Sequence, residues 1–135
     1  MLYVVGGDEM LNSSDILRGY TDTIILAQLY QEDSYGYVIS KNVQEISGGE
    51  LQLKEATLYT TFRRLEAAGV IESYWGNENA GARRRYYHLT DAGRALYEEN
   101  REDWRKYRAV ISQLIGLKED GEADEHDEQA HSQHD

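Results

Sequence analysis

The sequence predicts a mainly α-helical fold with a small β hairpin: a winged helix-turn-helix followed by a long C-terminal dimerisation helix. Three observations predict it. Residues 13–68 hold three apolar-periodic segments, separated by Gln31-Glu32-Asp33 and by Gly48-Gly49. Ile71–Trp75 and Arg83–Leu89 alternate in polarity, are rich in aromatics and flank the glycine-bearing turn Gly76–Ala82. A last helical stretch, from Thr90 to Leu117, carries two apolar stripes rather than one. The 135 residues divide accordingly into a flexible N-terminal lead at 1–12, a winged-helix region at 13–89, a dimerisation helix at 90–117 and a disordered acidic tail at 118–135.

Met1–Asn12 contains the Gly6-Gly7 break and is expected to be loosely held. Ser13 or Ser14 is a suitable N-cap, and Asp15 suits the positive end of the first helix. Along that helix Ile16, Thr23, Ala27 and Tyr30 line one side, while Leu17, Ile24, Ile25 and Leu29 line another, so it must touch more than one neighbour. Ser34 is expected to cap a second helix over Tyr35–Ser47, with Val38, Ile39, Val43 and Ile46 turned inward and Gly48-Gly49 ending it. Leu51-Gln52-Leu53 alternates and is a candidate short strand. A third helix spans about Glu55–Ala68 and stops at Gly69, its core side formed by Leu58, Phe62 and Leu65 at 100° per residue. Thr90 caps the last helix, whose 27 or so residues reach roughly 40 Å. One of its stripes is Leu96, Tyr107, Val110, Leu114 and Leu117; the other is Tyr97, Trp104, Ile111 and Ile115. One stripe can cover the monomer. The second calls for another chain, because so small a domain has little left to cover both.

The net charge of −11 is unevenly spread. Lys118–Asp135 contributes −7 and residues 1–53 contribute −6, whereas residues 54–117 hold eleven bases against nine acids, or +2. The acidic total argues against non-specific coating of nucleic acid but not against a focused basic face. With no cysteine, disulfides, thiol nucleophiles and thiolate metal sites are excluded, which fits a cytoplasmic setting. The opening MLYVVGGDEML lacks a basic region followed by a long apolar run, and no segment has the apolar length for a bilayer, so no membrane partner is expected. His126, His131 and His134 lie in the tail without the spacing of an ordered metal site, and His88 falls within a strand. Neither a phosphate-binding glycine loop nor a Ser–His–acid arrangement stands out. The expectation is of no enzyme, no metal and no cofactor.

Glu55–Thr90 is a helix followed by a basic hairpin, the layout in which a helix enters the DNA major groove and the hairpin touches the flanking backbone or minor groove. Opposite its core residues the third helix presents Tyr59, Thr60 and Arg63, flanked by Thr57 and Arg64, side chains that reach base edges and phosphates. Alone, that pattern is equally an ordinary solvated face. The adjoining Arg83, Arg84 and Arg85 favour nucleic acid, and alternation sends Arg84 to one face and the other two to the opposite one. Tyr35, Lys41 and Lys54 are candidate phosphate contacts; Lys54 stands where a capping acceptor would otherwise serve the helix better. Trp104 has Asn100, Arg101 and Arg108 one turn away. In a two-fold dimer it can meet its own copy and form a slot for a planar aromatic molecule; the plainer reading is an indole that packs the interface.

These residues resemble the PadR family of winged-helix transcriptional regulators. The resemblance rests on LRGYTDTIILAQL (Leu17–Leu29), SYGYVI (Ser34–Ile39), SGGELQLKEATLYTTFRRLEAAGVIESYW (Ser47–Trp75) and RRRYYHLTDAGR (Arg83–Arg94), in order and with consistent spacing. A single long last helix is similar to the short form of the family, and the ATLYT, RRLE and SYWG runs with Trp104 are most similar to its multidrug-binding repressors. The resemblance implies a homodimer with the last helix swapped, operator binding by the third helix and wing, and planar aromatics held between paired tryptophans above a floor near Ile16, Tyr20, Thr23 and Ala27. Two departures stand out. Drug-binding relatives tend to place an acid where this chain has Arg108, and many members carry proline where it has Thr60. Two arginines beside the indole point to neutral or anionic aromatics, or to a pocket they partly close.

The sequence is therefore read as a dimeric repressor on double-stranded operator DNA, modulated by a planar aromatic effector. The alternatives are a constitutive regulator without ligand and a winged-helix protein-interaction module.

Overall fold

The computed structural model of the chain describes residues 20–77, 81 and 83–117. Ser13, Ser14, Ile16, Leu17, the lead segment and the acidic tail with its three histidines lie outside the described residues. The elements run α1 (Thr21–Gln31), β1 (Ser34–Tyr35), α2 (Gly36–Ile46), α3 (Glu55–Ala67), β2 (Ile71–Trp75), β3 (Arg85–Leu89) and α4 (Asp91–Leu114). The strands form an antiparallel sheet in the order β1-β3-β2, with Trp75 opposite Arg85 and Ile71 opposite Leu89. The mainly helical class with a small sheet is the one the sequence predicts.

Residues of the first three helices and the sheet make one core: Ile25 and Leu26 from α1, Ile39 from α2, Leu58 and Phe62 from α3, Ile71 and Tyr87 from the sheet. Full burial of a ring such as Phe62, which stacks on Tyr87 at 3.9 Å, contributes about 1.5–3 kcal/mol. Every residue of α1 from Thr21 to Tyr30 is buried or half-buried, in keeping with its two apolar sides.

Several local expectations are corrected. Ser34 does not cap α2. It is buried in β1 opposite Tyr87, and α2 begins after Tyr35 without a side-chain cap, because the edge of β3 offers this extended pair a partner. Ile46 is 77% exposed rather than inward, since it lies in the last turn of α2, past the neighbours that bury Val43. Leu51–Leu53 forms no strand; Leu53 is buried as a single anchor, and the Ser47 hydroxyl accepts from the Leu51 amide at 3.0 Å. The second wing strand starts at Arg85, not Arg83, although the Gly76 amide still donates to the Arg84 carbonyl at 2.7 Å. The last helix ends at Leu114, not Leu117, as the chain turns at Ile115 and Gly116. Thr90 does cap it, its hydroxyl accepting from the Gly93 amide at 3.1 Å and donating to the Gly69 carbonyl at 2.8 Å.

The chain divides into two compact units, one ending at Glu98 and the other beginning at Glu99. In the first, the opening turns of α4 place Leu96 and Tyr97 against the core, and Tyr97 lies 4.6 Å from the Tyr30 ring. In the second, Tyr107, Val110, Ile111, Leu114, Ile115 and Leu117 are all exposed in the single chain.

Candidate nucleic-acid interface

Helix α3 is built to show one face. Leu58, Thr61, Phe62 and Leu65 are buried, and Thr57, Tyr59, Thr60, Arg63 and Arg64 are exposed. The buried Thr61 satisfies its hydroxyl by donating to the Thr57 carbonyl at 2.8 Å, so it is silent on the outside. Arg63 reaches Thr60 at 3.4 Å, which joins two candidate base-reading side chains. Tyr59 packs edge-on against Phe62 at 5.8 Å. A Cβ added at Gly36 would meet the Tyr59 hydroxyl at 3.2 Å, so α2 and α3 approach closely where a side chain has little room. Lys54 precedes α3 with an extended backbone and no side-chain cap, and Lys41 is exposed on α2.

Arg64 is placed differently from Arg63. It makes two bonds to the Asp22 carboxylate, at 2.7 and 2.8 Å, and this pairing raises its pKa further. Asp22 lies on α1, so Arg64 ties α3 to α1 as well as standing on the exposed face of α3. No sequence signal joins residues forty-two positions apart.

The wing arginines separate as alternation predicts. Arg83 and Arg85 lie over the Trp75 ring, at 5.8 and 5.6 Å, whereas Arg84 lies over Tyr35 at 5.1 Å. Arg85 also donates to the Ser73 hydroxyl at 2.8 Å, and Ser73 donates to the Glu66 carboxylate at 2.6 Å. Glu66 belongs to α3, so this chain of bonds fixes the wing to the helix. Tyr35, expected as a phosphate contact from a second helix, is instead half-buried in β1, edge-on to Tyr86 at 5.1 Å. Trp75, exposed at the end of β2, and Tyr37, exposed four residues before Lys41, are open aromatics beside these residues in the chain that the sequence reading does not single out. Cross-strand pairing opposite Arg85 is the signal that would have found Trp75.

On α4, Asn100, Arg101, Trp104 and Arg108 share one face by helical spacing, with Asn100 half-buried and the other three exposed. In the first unit, Tyr20 is exposed just before α1, and Thr23 and Ala27 are half-buried along it. Among the described residues no cluster of His, Cys, Asp and Glu is arranged to hold a metal ion, and no helix is long and apolar enough to cross a membrane.

Residues 25–99 match the transcriptional regulator PadR-like family. The fold is similar to a transcriptional regulator from Clostridium thermocellum, with 45% identity and a TM-score of 0.70 over 76% of this chain and 99% of that one. It is also similar to a PadR family transcription regulator from Clostridium difficile, with 39% identity and a TM-score of 0.65 over 72% of this chain and 99% of that one. An uncharacterized protein of Lysinibacillus sphaericus is 42% identical over 98 residues, which is 73% of this chain and 90% of that protein.

Proposed function

Because this chain belongs to the PadR-like family of DNA-binding transcriptional regulators, we propose that it is a dimeric, sequence-specific repressor whose operator affinity is modulated by a planar aromatic molecule. The observation that carries the reading is the exposed face of α3, with Tyr59, Thr60 and Arg63 next to a wing whose arginines are fastened to the same helix through Ser73 and Glu66. Each subunit places Thr57–Arg64 in a major groove, and the two half-sites lie about one helical turn, roughly 34 Å, apart. Lys41, Lys54, Arg83 and Arg84 serve the phosphates.

The dimer reading is supported by the apolar side chains that α4 exposes in the single chain, of which Leu114 is 78% open. The effector reading is supported by Trp104 on that helix, with Arg101 and Arg108 one turn to either side favouring neutral or anionic aromatics. An effector acts by binding one dimer state more tightly than the other, and so shifting the spacing of the two α3 helices.

The test is a gel-shift salt series on duplex from upstream of the chain's own coding sequence. A DNA binder loses affinity steeply with salt, and Lys54→Ala lowers the slope of log K against log salt by about 0.9 per subunit. Arg64→Ala changes that slope less, because Asp22 already neutralises its guanidinium. Affinity indifferent to salt would sink the repressor reading.

A further inference from the structure

Trp75 is 54% exposed at the end of β2. Tryptophan is highly buried on average, so an open indole on a small domain marks a surface with a use. Its register partner is Arg85, and both share the sheet face of Tyr87, the residue that stacks on Phe62 of α3. The indole therefore stands on the α3 side of the wing. Two guanidiniums lie within cation–π reach of the ring, and they differ in role. Arg85 is held by Ser73, which is itself held by Glu66, one turn along α3 from Arg63. Arg83 lies outside the strand ladder and is exposed.

A flat apolar surface with fixed positive charge, continuous with a helix that reads DNA, fits one partner chemistry well. The sugar–phosphate backbone presents apolar deoxyribose faces between anionic phosphates. We propose that Trp75 is a DNA-contacting residue of the wing, its indole against the backbone that flanks the groove entered by α3, with Arg83 on phosphate and Arg85 as the positioning residue that fixes the indole. The assignment rests on the DNA-binding reading above. It changes the expected division of labour among the three arginines, because Arg85 serves the wing's geometry rather than the phosphates.

The full chain is labelled with 5-fluorotryptophan, its two fluorine resonances are assigned from Trp75→Phe, and the same upstream duplex is titrated in. The Trp75 resonance is expected to shift at saturation. Trp75→Ala is expected to weaken binding about tenfold, the low end of what losing an aromatic stacked on a base costs, with circular dichroism unchanged and the salt slope kept. Arg83→Ala lowers the salt slope by about 0.9 per subunit, whereas Arg85→Ala leaves the slope and broadens the Trp75 resonance in the free protein. The fluorine shift is read with the indole in place, so it holds even if Trp75→Ala fails to fold. An unmoved Trp75 resonance at saturating duplex, or full affinity in a folded Trp75→Ala, overturns the wing assignment while DNA binding stands. Absence of any salt-sensitive binding by the wild-type chain overturns both.

Discussion

Gly93 shows how tightly a single position can be set. It is the buried residue of α4, and a Cβ there would overlap the Val70 carbonyl oxygen and lie 2.6 Å from Leu89 Cδ1. That carbonyl accepts from the Thr90 amide at 3.1 Å, so the start of α4 is seated on the end of the α3–β2 connection. Helix propensity alone would make Gly93→Ala stabilising by about 1 kcal/mol. The clash is with backbone, which cannot rotate away, so we expect Gly93→Ala to destabilise the protein by about 1–3 kcal/mol in urea unfolding. A variant more stable than wild type would show that the contact yields. The same scale separates Arg63 from Arg64. The residues are neighbours in sequence, yet one reaches a threonine on its own helix and the other a carboxylate on α1.

Between elements, Asp33 straps the turn after α1 to the sheet. Tyr74 on β2 donates to its carboxylate at 2.7 Å, and His88 Nδ1 on β3 pairs with it at 2.8 Å. Burial pushes the Asp33 carboxyl up, but the hydrogen bonds from Tyr74 and His88 and the charge on His88 outweigh it and hold it below 3.8. The Tyr74 phenol is pushed up to about 12, chiefly by its hydrogen bond to Asp33. A carboxyl with a depressed folded-state pKa adds stability above its unfolded value and loses it as pH falls through the folded one. Asp33→Asn is therefore expected to be less stable than wild type at neutral pH, by at most about 1 kcal/mol because solvent screens the site. The gap should close as pH drops below 3.8, in thermal melts of both proteins across the acid range. A gap undiminished near about pH 2 would remove the carboxylate charge from the account.

For the molecule as a whole, the dimer proposed above accounts for the apolar side chains that α4 exposes in the single chain. Leu114→Asp places a charge at a position already open in the single chain, so it should leave each subunit folded. Light scattering is expected to give a monomer, and operator affinity should fall about a hundredfold as two linked half-site contacts become one. A Leu114→Asp dimer of full affinity would put the partner surface elsewhere. Titration of the wild-type protein with aromatic dyes is expected to quench Trp104 more strongly with an anionic dye than with a cationic one of similar shape, because Arg101 and Arg108 flank the indole. Tighter binding of the cationic dye would reverse the effector class.

By itself the sequence determined whatever is periodic or local: the order of helices, α3 split into a core side and an exposed side, the alternation of Arg83, Arg84 and Arg85, the Thr90 cap, and the family through runs such as ATLYT and RRRYY. These follow from repeat lengths of 3.6 and 2 and from short-range hydrogen bonding, which need no knowledge of distant residues. Tertiary structure alone decided that Ser34 and Tyr35 leave the helix for a strand, that Asp22 takes Arg64, that Glu66 and Ser73 hold Arg85, and that Asp33 meets Tyr74 and His88. Each is a pairing between groups far apart in the chain. Their partners are set by which surfaces the core brings together, and no sequence period records that.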